Sequence, residues 1–426
     1  MKKISVVTLG CKVNQYDTAV LLNQLPKSKY TKNKHFDEKA DIYVIDTCTV
    51  THKADSEARN YIYRAKRNNP EALVVVTGCY AQVSAEELSG LKEVDYIVGN
   101  SHKSMSLLRV IREGEKQKEP TVFISDIFKE KKKKFDTPHI DYFPDRTRAF
   151  LKVQDGCNYA CTFCIIPRAR GRSRSLDIEE IKSRIIRLRE NGYKEVVLTG
   201  IHLASYGKDI GTDLYKLLLE LDKENIINRI RLSSLDPADL KNDLIDLCAD
   251  SEIICPSFHI ALQSGDKDIL KLMRRRYLPE NFVSSTNYIR KKMPDASIGT
   301  DIMVGFPNEN EENFKNSYNL LKESELTYFH VFPYSKRRYT QAESMNNQVD
   351  SRVKKERSKI LRQLSSLKKI NFYSKFIGKN INTLIENNSR GTSSNYINVK
   401  IEDNIYQTGD IVKLKIKRID GEYAVA

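Results

Sequence analysis

The chain has 426 residues, which is too long for one ordinary domain and corresponds to about three. Hydrophobic residues make up 40% of it and can fill cores of that size, but no apolar stretch approaches the ~18 residues that cross a bilayer. Lysine and arginine number 71 against 56 aspartate and glutamate, a net charge of +15 that favours a polyanionic partner, nucleic acid before a membrane, over a merely lysine-rich solvated surface.

Residues 1–125 alternate short apolar runs with helical patterns, which is typical of βα units around a largely parallel sheet. The predicted strands are Ile4–Leu9, Asp41–Ile45 and Ala72–Val76. A helix is predicted at Ala54–Asn68. The first apolar run is shorter than the ~7 residues of a secretory signal core, so we expect a cytoplasmic protein. In that reducing compartment, clustered cysteines bind metal or act in catalysis more often than they form disulfides.

Each of these strands is followed by a small-residue turn that carries a cysteine, namely Cys11, Cys48 and Cys79. The carboxyl ends of parallel strands meet at one edge of a sheet, and ligands bind there. We therefore expect the three side chains to converge although they are far apart in sequence. Three unrelated cysteines filling tight turns are the alternative.

A polar segment follows, and we predict a linker at residues 126–142. It contains the charge run Lys129–Lys134 and Pro138, and Pro144 lies just beyond it. The run is interpreted as a solvated segment, and contact with a phosphate backbone is the alternative.

Residues 143–371 show a second alternation of strands and amphipathic helices. The predicted strands are Phe150–Gln154, Glu195–Thr199, Arg229–Ser233, Phe258–Gln263, Ser297–Val304 and Thr327–Pro333. The clearest helix is predicted at Asp177–Asn191, with Asp177 as its N-cap and Gly192 ending it. Because six βα units are too few for a complete eight-stranded barrel, we predict a partial, open (βα)6 barrel.

Three cysteines follow the first strand of this region, in the stretch CNYACTFC. They are Cys157, Cys161 and Cys164, and no fourth cysteine follows closely. Structural zinc needs four ligands, whereas three thiolates on a [4Fe–4S] cluster leave one iron open to bind a substrate or cofactor. The loop lies at the carboxyl end of a barrel strand, the face that carries active sites. A zinc site with a distant fourth ligand is the alternative.

Alternating arginines come directly after this loop, at Arg168, Arg170, Arg172 and Arg174. On an extended segment they share one face and can hold RNA phosphates, and a solvated or internally paired strip is the alternative. Cys248 and Cys255 have no partner at metal-ligand spacing and are interpreted as ordinary buried cysteines.

The C-terminal part begins with a basic helix predicted at Ser351–Ile370. The apolar face that should pack on the preceding domain consists of Val353, Ile360, Leu364 and Leu367. Residues 372–426 change to short alternating strands separated by turn residues, which predicts a small antiparallel β-barrel.

With Phe163 before its last cysteine, CNYACTFC resembles the signature of the radical S-adenosylmethionine (SAM) enzymes. The resemblance implies that Cys157, Cys161 and Cys164 hold a [4Fe–4S] cluster whose open iron binds SAM. Reductive cleavage of SAM in that superfamily releases a 5′-deoxyadenosyl radical, which abstracts a hydrogen atom from the substrate.

Further stretches are similar to later strands of the same superfamily. LTGIHL at 198–203 and GTDIMVGFP at 299–307 suggest Gly200 and Asp301 as cofactor contacts, and Phe163 is added from the signature. A tight turn at Gly200 and a loop cap at Asp301 are the alternatives.

Motifs over nearly the whole chain resemble the methylthiotransferases: LGCKVNQYD, DTCTVTHKAD, TGCYAQ, HIALQSG and HVFPYSK. This family carries a second, auxiliary [4Fe–4S] cluster on its N-terminal domain, and its ligands match Cys11, Cys48 and Cys79. The chain departs from the family after YSKR, where RYTQA stands in place of the usual Gly-Thr-Pro-Ala step.

TCTVTHKAD and HVFPYSK resemble the branch that acts on N6-threonylcarbamoyladenosine at position 37 of tRNA, converting t6A to ms2t6A with two [4Fe–4S] clusters and SAM. Its partners would be the anticodon-loop region of tRNA and an electron donor, with no membrane. The branches acting on isopentenyladenosine or on an aspartate of a ribosomal protein are alternatives. A non-enzymatic zinc- and RNA-binding protein is an alternative of another class.

The implied organisation is α/β with a small β-domain. An N-terminal methylthiotransferase domain at 1–125 is followed by the linker at 126–142 and a radical SAM core at 143–371. Residues 372–426 contain SSNYINVKI and TGDIVKLKI, which resemble the TRAM domain, an RNA-binding β-barrel.

Overall fold

The computed structural model describes residues 1–129, 135, 137–143, 146–403 and 405–426. Its contacts divide the chain into two compact units. The first unit comprises Met1–Tyr142, Asp155–Arg174 and Ser335–Glu343, and the second comprises Phe143–Gln154, Ser175–Tyr334 and Ser344–Ala426. Of the predicted linker and its charge run, residues 130–134 and 136 lie outside the described residues, as does Pro144.

The N-terminal part of the first unit is an α/β fold. Its strands are β1 (Lys2–Thr8), β2 (Tyr30–Lys32), β3 (Ile42–Thr47), β4 (Leu73–Gly78), β5 (Tyr96–Gly99) and β6 (Thr121–Phe123). Its helices are α1 (Lys12–Gln24), α2 (His52–Asn68), α3 (Cys79–Val83), α4 (Ala85–Ser89) and α5 (Lys103–Glu113). Neighbouring strands pair in parallel in the order β2-β1-β3-β4-β5-β6, which confirms the predicted parallel sheet.

Strand β4 shows why the sequence alone could predict this sheet. Its residues LVVVTG are buried at every position. Val74 and Val76 join a core with Ala58 of α2, whereas Val75 joins a second core with Val110 of α5. Helices cover both faces of a parallel sheet, so its central strands are apolar throughout rather than at every second residue.

The rest of the chain adds further strands and helices. The strands are β7 (Arg148–Lys152), β8 (Gln154–Asp155), β9 (Arg174–Ser175), β10 (Glu195–Thr199), β11 (Arg229–Leu232), β12 (Ser257–His259), β13 (Ser297–Val304), β14 (Tyr328–Pro333), β15 (Asn380–Asn387), β16 (Arg390–Ser393), β17 (Asn398–Lys400), β18 (Ile411–Lys415), β19 (Arg418–Asp420) and β20 (Tyr423–Val425). The helices are α6 (Ile166–Arg170), α7 (Ile178–Glu190), α8 (Leu214–Lys223), α9 (Asn242–Asp250), α10 (Lys267–Leu272), α11 (Pro279–Lys292), α12 (Glu311–Glu323) and α13 (Ser351–Ser374).

Two predicted helices are confirmed together with the residues that start them. The helix predicted at Ala54–Asn68 is α2, which begins slightly earlier because the Thr51 side chain accepts a hydrogen bond from the Ala54 N–H. Asp177 caps α7 as predicted, by accepting from the backbone N–H of Glu179. Such caps satisfy backbone donors that the first helical turn leaves unpaired.

The central α/β part of the second unit contains two parallel sheets. One has the order β11-β10-β7 and the other β12-β13-β14, and isolated parallel bridges at Ile230–Ile254 and Leu235–Ile260 connect β11 with β12. The predicted strands are confirmed except Phe258–Gln263, since β12 ends at His259. Gln263 has a φ of 66°, which lies in the left-handed region and is incompatible with a continuous strand.

The apolar face predicted for the long C-terminal helix is wrong. In α13, Leu367 is 60% exposed and Ile360 is 36% exposed. The buried face mixes Leu361, Phe372 and Tyr373 with polar residues: Arg357 donates to Glu309 Oε1 at 2.7 Å, and the Ser365 hydroxyl bonds the backbone of β14. Because an ion pair and a hydroxyl satisfy this face, hydrophobic periodicity pointed to the wrong side of the helix.

The C-terminal β-region packs around its own core. Its sheet has the order β18-β15-β16-β17-β20-β19. Phe372, Ile385, Val399 and Ala424 are among the residues that fill the core. Neighbouring strands pair antiparallel except β17 and β20, which are parallel, so the prediction of a purely antiparallel arrangement is corrected at that pair.

None of the helices in the described ranges is long and apolar enough to span a membrane. Helix α13 has 24 residues but carries lysine and arginine along its length.

Candidate iron–sulfur and cofactor sites

Cys11, Cys48 and Cys79 lie at the carboxyl ends of neighbouring strands. Cys11 directly precedes α1, Cys48 follows β3, and Cys79 begins α3 after β4. β3 pairs with both β1 and β4, so the three strand ends are adjacent. A Cβ at Gly10, which has a φ of +96°, would lie 2.7 Å from Cys48 Cβ and 2.9 Å from its Sγ. The structure therefore brings this predicted group together.

Two of the three thiols, those of Cys48 and Cys79, have raised pKa values. Burial, reinforced by the charges of Cys79 and Cys11, raises the pKa of Cys48 to about 12. Burial also raises the pKa of Cys79, and the Arg170 guanidinium opposes that rise. As free thiols, Cys48 and Cys79 stay protonated at neutral pH, whereas a soft metal centre takes thiolates and displaces their protons.

In the described ranges, no group of three or more Cys, His, Asp or Glu side chains has the geometry to hold one metal ion. A mononuclear zinc site requires such donors around a single ion. In a four-iron cluster each thiolate binds a different iron, so the sulfur atoms stand further apart. Three converging thiols provide the soft ligands that an iron–sulfur cluster or zinc takes.

Arg170, the last residue of α6, lies beside these cysteines, and its side chain is only 2% exposed. Its Nη1 donates to both carboxylate oxygens of Asp155 at 3.1 Å, and its Nη2 donates to Asn14 Oδ1 at 2.5 Å. Asn100 donates to the Cys79 Sγ at 3.6 Å and to a backbone carbonyl of α6 at 2.9 Å. Within the described structure Arg170 Nε has no hydrogen-bond partner, so a buried donor remains for an acceptor such as a cluster sulfur.

The second cysteine group lies on the loop between β8 and α6, also in the first unit. Cys157 N donates to the Gly171 carbonyl at 3.0 Å, and Cys164 N donates to the Cys161 carbonyl at 3.1 Å. A Cβ at Gly156, with a φ of +75°, would lie 2.1 Å from a backbone oxygen across the loop. The loop is therefore closed at its base, and its three cysteines are half-buried. Three soft thiols on such a loop fit a cluster that a small molecule can reach.

The segment Ser335–Glu343, here called the anchoring segment, contacts neighbours of both cysteine groups. Arg337 Nη2 donates to the Thr49 hydroxyl at 2.8 Å, and Thr49 directly follows one of the N-terminal cysteines. Ala342 N donates to the Thr162 carbonyl at 2.8 Å, inside the cysteine loop. Sequence reasoning noted the unusual residues here but did not predict these contacts, which join parts of the chain far apart in sequence.

The prediction that the alternating arginines share one face of an extended segment is wrong. Residues 166–170 form α6, so the segment is not extended. Arg170 is buried in ion pairs and cannot meet a phosphate. Arg168 lies over the ring of Tyr339 at 5.3 Å, and Arg174 over that of Phe135 at 5.9 Å.

Two of the predicted cofactor contacts are in well-packed positions. A Cβ at Gly200 would lie 2.8 Å from Gln154 Oε1, and that oxygen also accepts from His202 N at 2.9 Å, so the turn after β10 leaves no room for a side chain. Phe163 is half-buried in the cysteine loop. Their contact with SAM stays a prediction.

One face of the β12-β13-β14 sheet is polar and aromatic. On it, His259 Nε2 lies 3.1 Å from Asp301 Oδ2, its ring stacks on His330 at 5.5 Å, and Phe332 is 46% exposed. Asp301 is inside β13, so the loop-cap interpretation is wrong. Parallel sheets are normally apolar on both faces, so this polar face is an exception. Sequence reasoning used HIALQSG and HVFPYSK as motifs but assigned none of their residues.

Cys248 and Cys255 are buried, as predicted, with exposures of 2% and 3%. Burial raises the pKa of Cys248 to about 12 and that of Cys255 to about 11. They are inert core residues at neutral pH.

Known proteins share these features. Residues 151–321 match the Radical SAM superfamily, and residues 3–99 match the Uncharacterized protein family UPF0004. Among solved structures, the radical S-adenosylmethionine methyltransferase TsrM from Kitasatospora setae, with cobalamin and a [4Fe–4S] cluster bound, is similar in fold. The TM-score is 0.58 at 15% identity, over 80% of this chain and 77% of that one. The fold and the cysteine loop define a radical SAM enzyme.

Relatives with high sequence identity indicate which family of radical SAM enzymes the chain resembles. The "Threonylcarbamoyladenosine tRNA methylthiotransferase MtaB" of Aquifex aeolicus is 46% identical over 97% of this chain and 100% of its own length. The protein of that name from Bacillus subtilis is 39% identical over 99% and 95%. The "tRNA-2-methylthio-N(6)-dimethylallyladenosine synthase" of Natranaerobius thermophilus is 35% identical over 84% and 79%. The chain belongs to the radical SAM methylthiotransferase family, and it is a transferase whose cofactors are SAM and [4Fe–4S] clusters.

Proposed function

We propose that this protein adds a methylthio group to C2 of N6-threonylcarbamoyladenosine at position 37 of tRNA, converting t6A to ms2t6A. The observation that carries the proposal is the second group of converging cysteines, present in addition to the radical SAM loop. One such group suffices to generate a radical, whereas the second provides a place for sulfur. The 46% identity with a full-length relative named for this nucleoside supports the substrate.

We assign one [4Fe–4S] cluster to each cysteine group. The radical cluster is held by Cys157, Cys161 and Cys164, and the auxiliary cluster by Cys11, Cys48 and Cys79. When bound, the clusters and SAM supply the sulfur, the methyl group and the radical. The radical breaks an aromatic C–H bond of the substrate. The chain itself provides the thiolates, excludes water around the buried Cys79 and holds the charge of Arg170 nearby.

Phe163, Gly200 and Asp301 are proposed as SAM contacts. Phe163 stands between two cysteines of the radical loop, and Gly200 directly follows β10, at the carboxyl end where parallel sheets bind their ligands. The Asp301 side chain is 23% exposed. Its carboxylate can therefore accept a hydrogen bond from a ligand while Oδ2 contacts His259 Nε2.

The tRNA backbone is proposed to bind the basic face of α13 and the C-terminal β-domain. Arg352, Lys355, Lys359 and Arg362 are exposed along α13. In the described part of the chain none of them has a carboxylate within ion-pair distance, so their charge is available to phosphates. This face and the TRAM-like sequence of the β-domain support RNA as the partner.

For function, we propose the modules 1–125 (auxiliary cluster), 126–142 (linker), 143–371 (radical SAM core, a six-stranded partial barrel) and 372–426 (TRAM-like barrel). The consecutive parallel strands β7, β10, β11 and β12, β13, β14 support the barrel. The reaction also needs an electron donor, and the cytoplasm, where tRNA is found, is its proposed location.

Dimethylallyladenosine in tRNA is the second candidate substrate, since a relative named for it is 35% identical. A methylthiotransferase acting on a ribosomal protein and a zinc- and RNA-binding protein have no comparable support.

Nucleoside analysis tests the substrate. Transfer RNA from a deletion strain is digested and analysed by mass spectrometry, and ms2t6A should be absent while t6A accumulates. The intact gene should restore ms2t6A and a Cys48→Ala variant should not. Unchanged ms2t6A with loss of the dimethylallyl derivative would move the assignment to the second candidate.

Iron analysis of anaerobically purified protein tests the two clusters. We expect about eight irons per chain, falling to about four in Cys48→Ala. Cys248→Ala is the matched control, because it removes a buried cysteine outside both groups and should keep all the iron. Full iron content in Cys48→Ala would exclude the auxiliary cluster.

A further inference from the structure

Tyr339, in the anchoring segment, has an unfavourable backbone conformation. Its φ is +69°, in the left-handed region that residues with a side chain rarely adopt. The conformation is held on both sides: Tyr339 N donates to Glu343 Oε2 at 2.9 Å, and the Thr340 hydroxyl donates to the Arg337 carbonyl at 2.7 Å. A non-glycine residue held in such a conformation by its surroundings often serves a functional purpose.

The side chain does not fill a core, because Tyr339 is 46% exposed. Two guanidiniums accompany it, that of Arg338 at 4.8 Å and that of Arg168 at 5.3 Å from the ring centroid. Both arginines are exposed, and among the described residues neither has a carboxylate within ion-pair distance. An exposed ring with two uncompensated cations is a surface for an anionic, aromatic ligand.

This surface adjoins the radical cysteine loop. Arg168 is in α6, four residues after Cys164, and the backbone of Ala342 bonds Thr162 inside the loop at 2.8 Å. The anchoring segment thus fixes the distance between the Tyr339 ring and the cysteines.

We propose that Tyr339, Arg168 and Arg338 form a stacking site for a nucleobase of the RNA substrate, adjacent to the radical loop. Aromatic rings and guanidinium planes both stack unpaired bases, and guanidiniums also neutralise the flanking phosphates. A strained tyrosine stands where glycine would be unstrained, as expected if the exposed ring itself is needed. This inference rests on the proposed function, because it specifies how the tRNA is held.

The test distinguishes the effect of backbone strain at Tyr339 from the effect of base stacking on its ring. Tyr339→Gly removes the ring and relieves the backbone, so its denaturation midpoint should equal or exceed that of the wild type. Its affinity for t6A-containing tRNA, isolated from the deletion strain and measured by anisotropy under anaerobic conditions, should fall about tenfold. Tyr339→Phe keeps the ring and should bind as the wild type does.

Tyr142→Gly is the matched control, because Tyr142 is also exposed and has the Lys27 ammonium over its ring at 5.1 Å. It should not change tRNA affinity. Unchanged affinity in Tyr339→Gly, or an equal loss in Tyr142→Gly, would overturn the stacking site while leaving the proposed function intact. A lower denaturation midpoint for Tyr339→Gly would assign the tyrosine to stability instead. If the wild type neither binds nor modifies this tRNA, the proposed function fails and the site fails with it.

Discussion

Gly10→Ala is expected to empty the auxiliary cysteine site while leaving the radical loop loaded. The added methyl would stand 2.7 Å from the Cβ of Cys48 and 2.9 Å from its Sγ. Carbon atoms in contact normally stay about 3.5–4.0 Å apart, so Cys48 or the end of β3 must move by about 1 Å. Metal–ligand distances tolerate only about 0.2 Å, so the displaced thiolate no longer fits a cluster.

The substitution also strains the backbone, because Gly10 has a φ of +96°. A residue with a Cβ in that region costs about 1–2 kcal/mol. Gly192→Ala is the matched control: its φ is +88°, and nothing lies within 4 Å of the added Cβ. Both variants should lose similar stability in urea denaturation, so only the steric contact with Cys48 distinguishes them.

The assay is iron and acid-labile sulfide per chain after anaerobic reconstitution, with electron paramagnetic resonance of the reduced protein. We expect about four irons in Gly10→Ala and about eight in Gly192→Ala and the wild type. Full iron in Gly10→Ala, at the same stability as Gly192→Ala, would refute the convergence of Cys11 with Cys48 on one cluster.

Three further changes test other parts of the structure. Arg357→Met leaves the Glu309 carboxylate, 3% exposed, without its cation and should cost about 3–5 kcal/mol in urea denaturation of the whole chain. Replacing both Lys355 and Arg362 by Gln should weaken the salt dependence of tRNA binding. The slope of log affinity against log salt concentration should fall in magnitude by about two, which is one for each phosphate that the variant no longer neutralises. Arg170→Met should lower the reduction potential of the auxiliary cluster in a redox titration, because a nearby cation stabilises the more negative reduced state.

Each change has a control of the same kind. Adding Glu309→Gln to Arg357→Met should recover part of the lost stability, since the uncompensated charge is gone. Lys223→Gln removes a lysine paired with Glu220 and should leave the salt dependence unchanged. Arg64→Met removes an arginine that binds Asp37 elsewhere in the first unit and should not shift the potential. Equal effects in a variant and its control would contradict the corresponding contact.

Apolar patterning was sufficient for the N-terminal sheet but not for α13. β4 is apolar at every position because helices cover both of its faces, and the sequence shows this directly. The buried face of α13 instead contains Arg357, which pairs with Glu309, and Ser365, whose hydroxyl bonds the backbone of β14. Periodicity cannot detect such partners, and it selected the exposed Ile360 and Leu367.

At the candidate site, the sequence located the cysteines but not the groups around them. The position of each N-terminal cysteine after a strand predicted their convergence, because parallel strand ends share an edge. The sequence suggested that Arg170 belongs to an exposed strip, yet its side chain is buried and forms ion pairs with two carboxylates. Those carboxylates, Asp17 and Asp155, are widely separated in the chain, so only the folded structure could identify the arginine as part of the cysteine environment.

The first unit is assembled from three separate segments of the chain, which affects the order in which its parts are synthesised. Its three segments end at residues 142, 174 and 343, so the ribosome releases the strands that carry the N-terminal cysteines well before Arg170 or Arg337. Until the last segment emerges, Asp55 and Thr49 lack the guanidinium that pairs with them in the finished fold. A fragment cut after residue 142 would contain every N-terminal cysteine and still lack the arginine beside them. A cluster inserted into the nascent chain at that stage would therefore meet a site that still lacks Arg170 and Arg337.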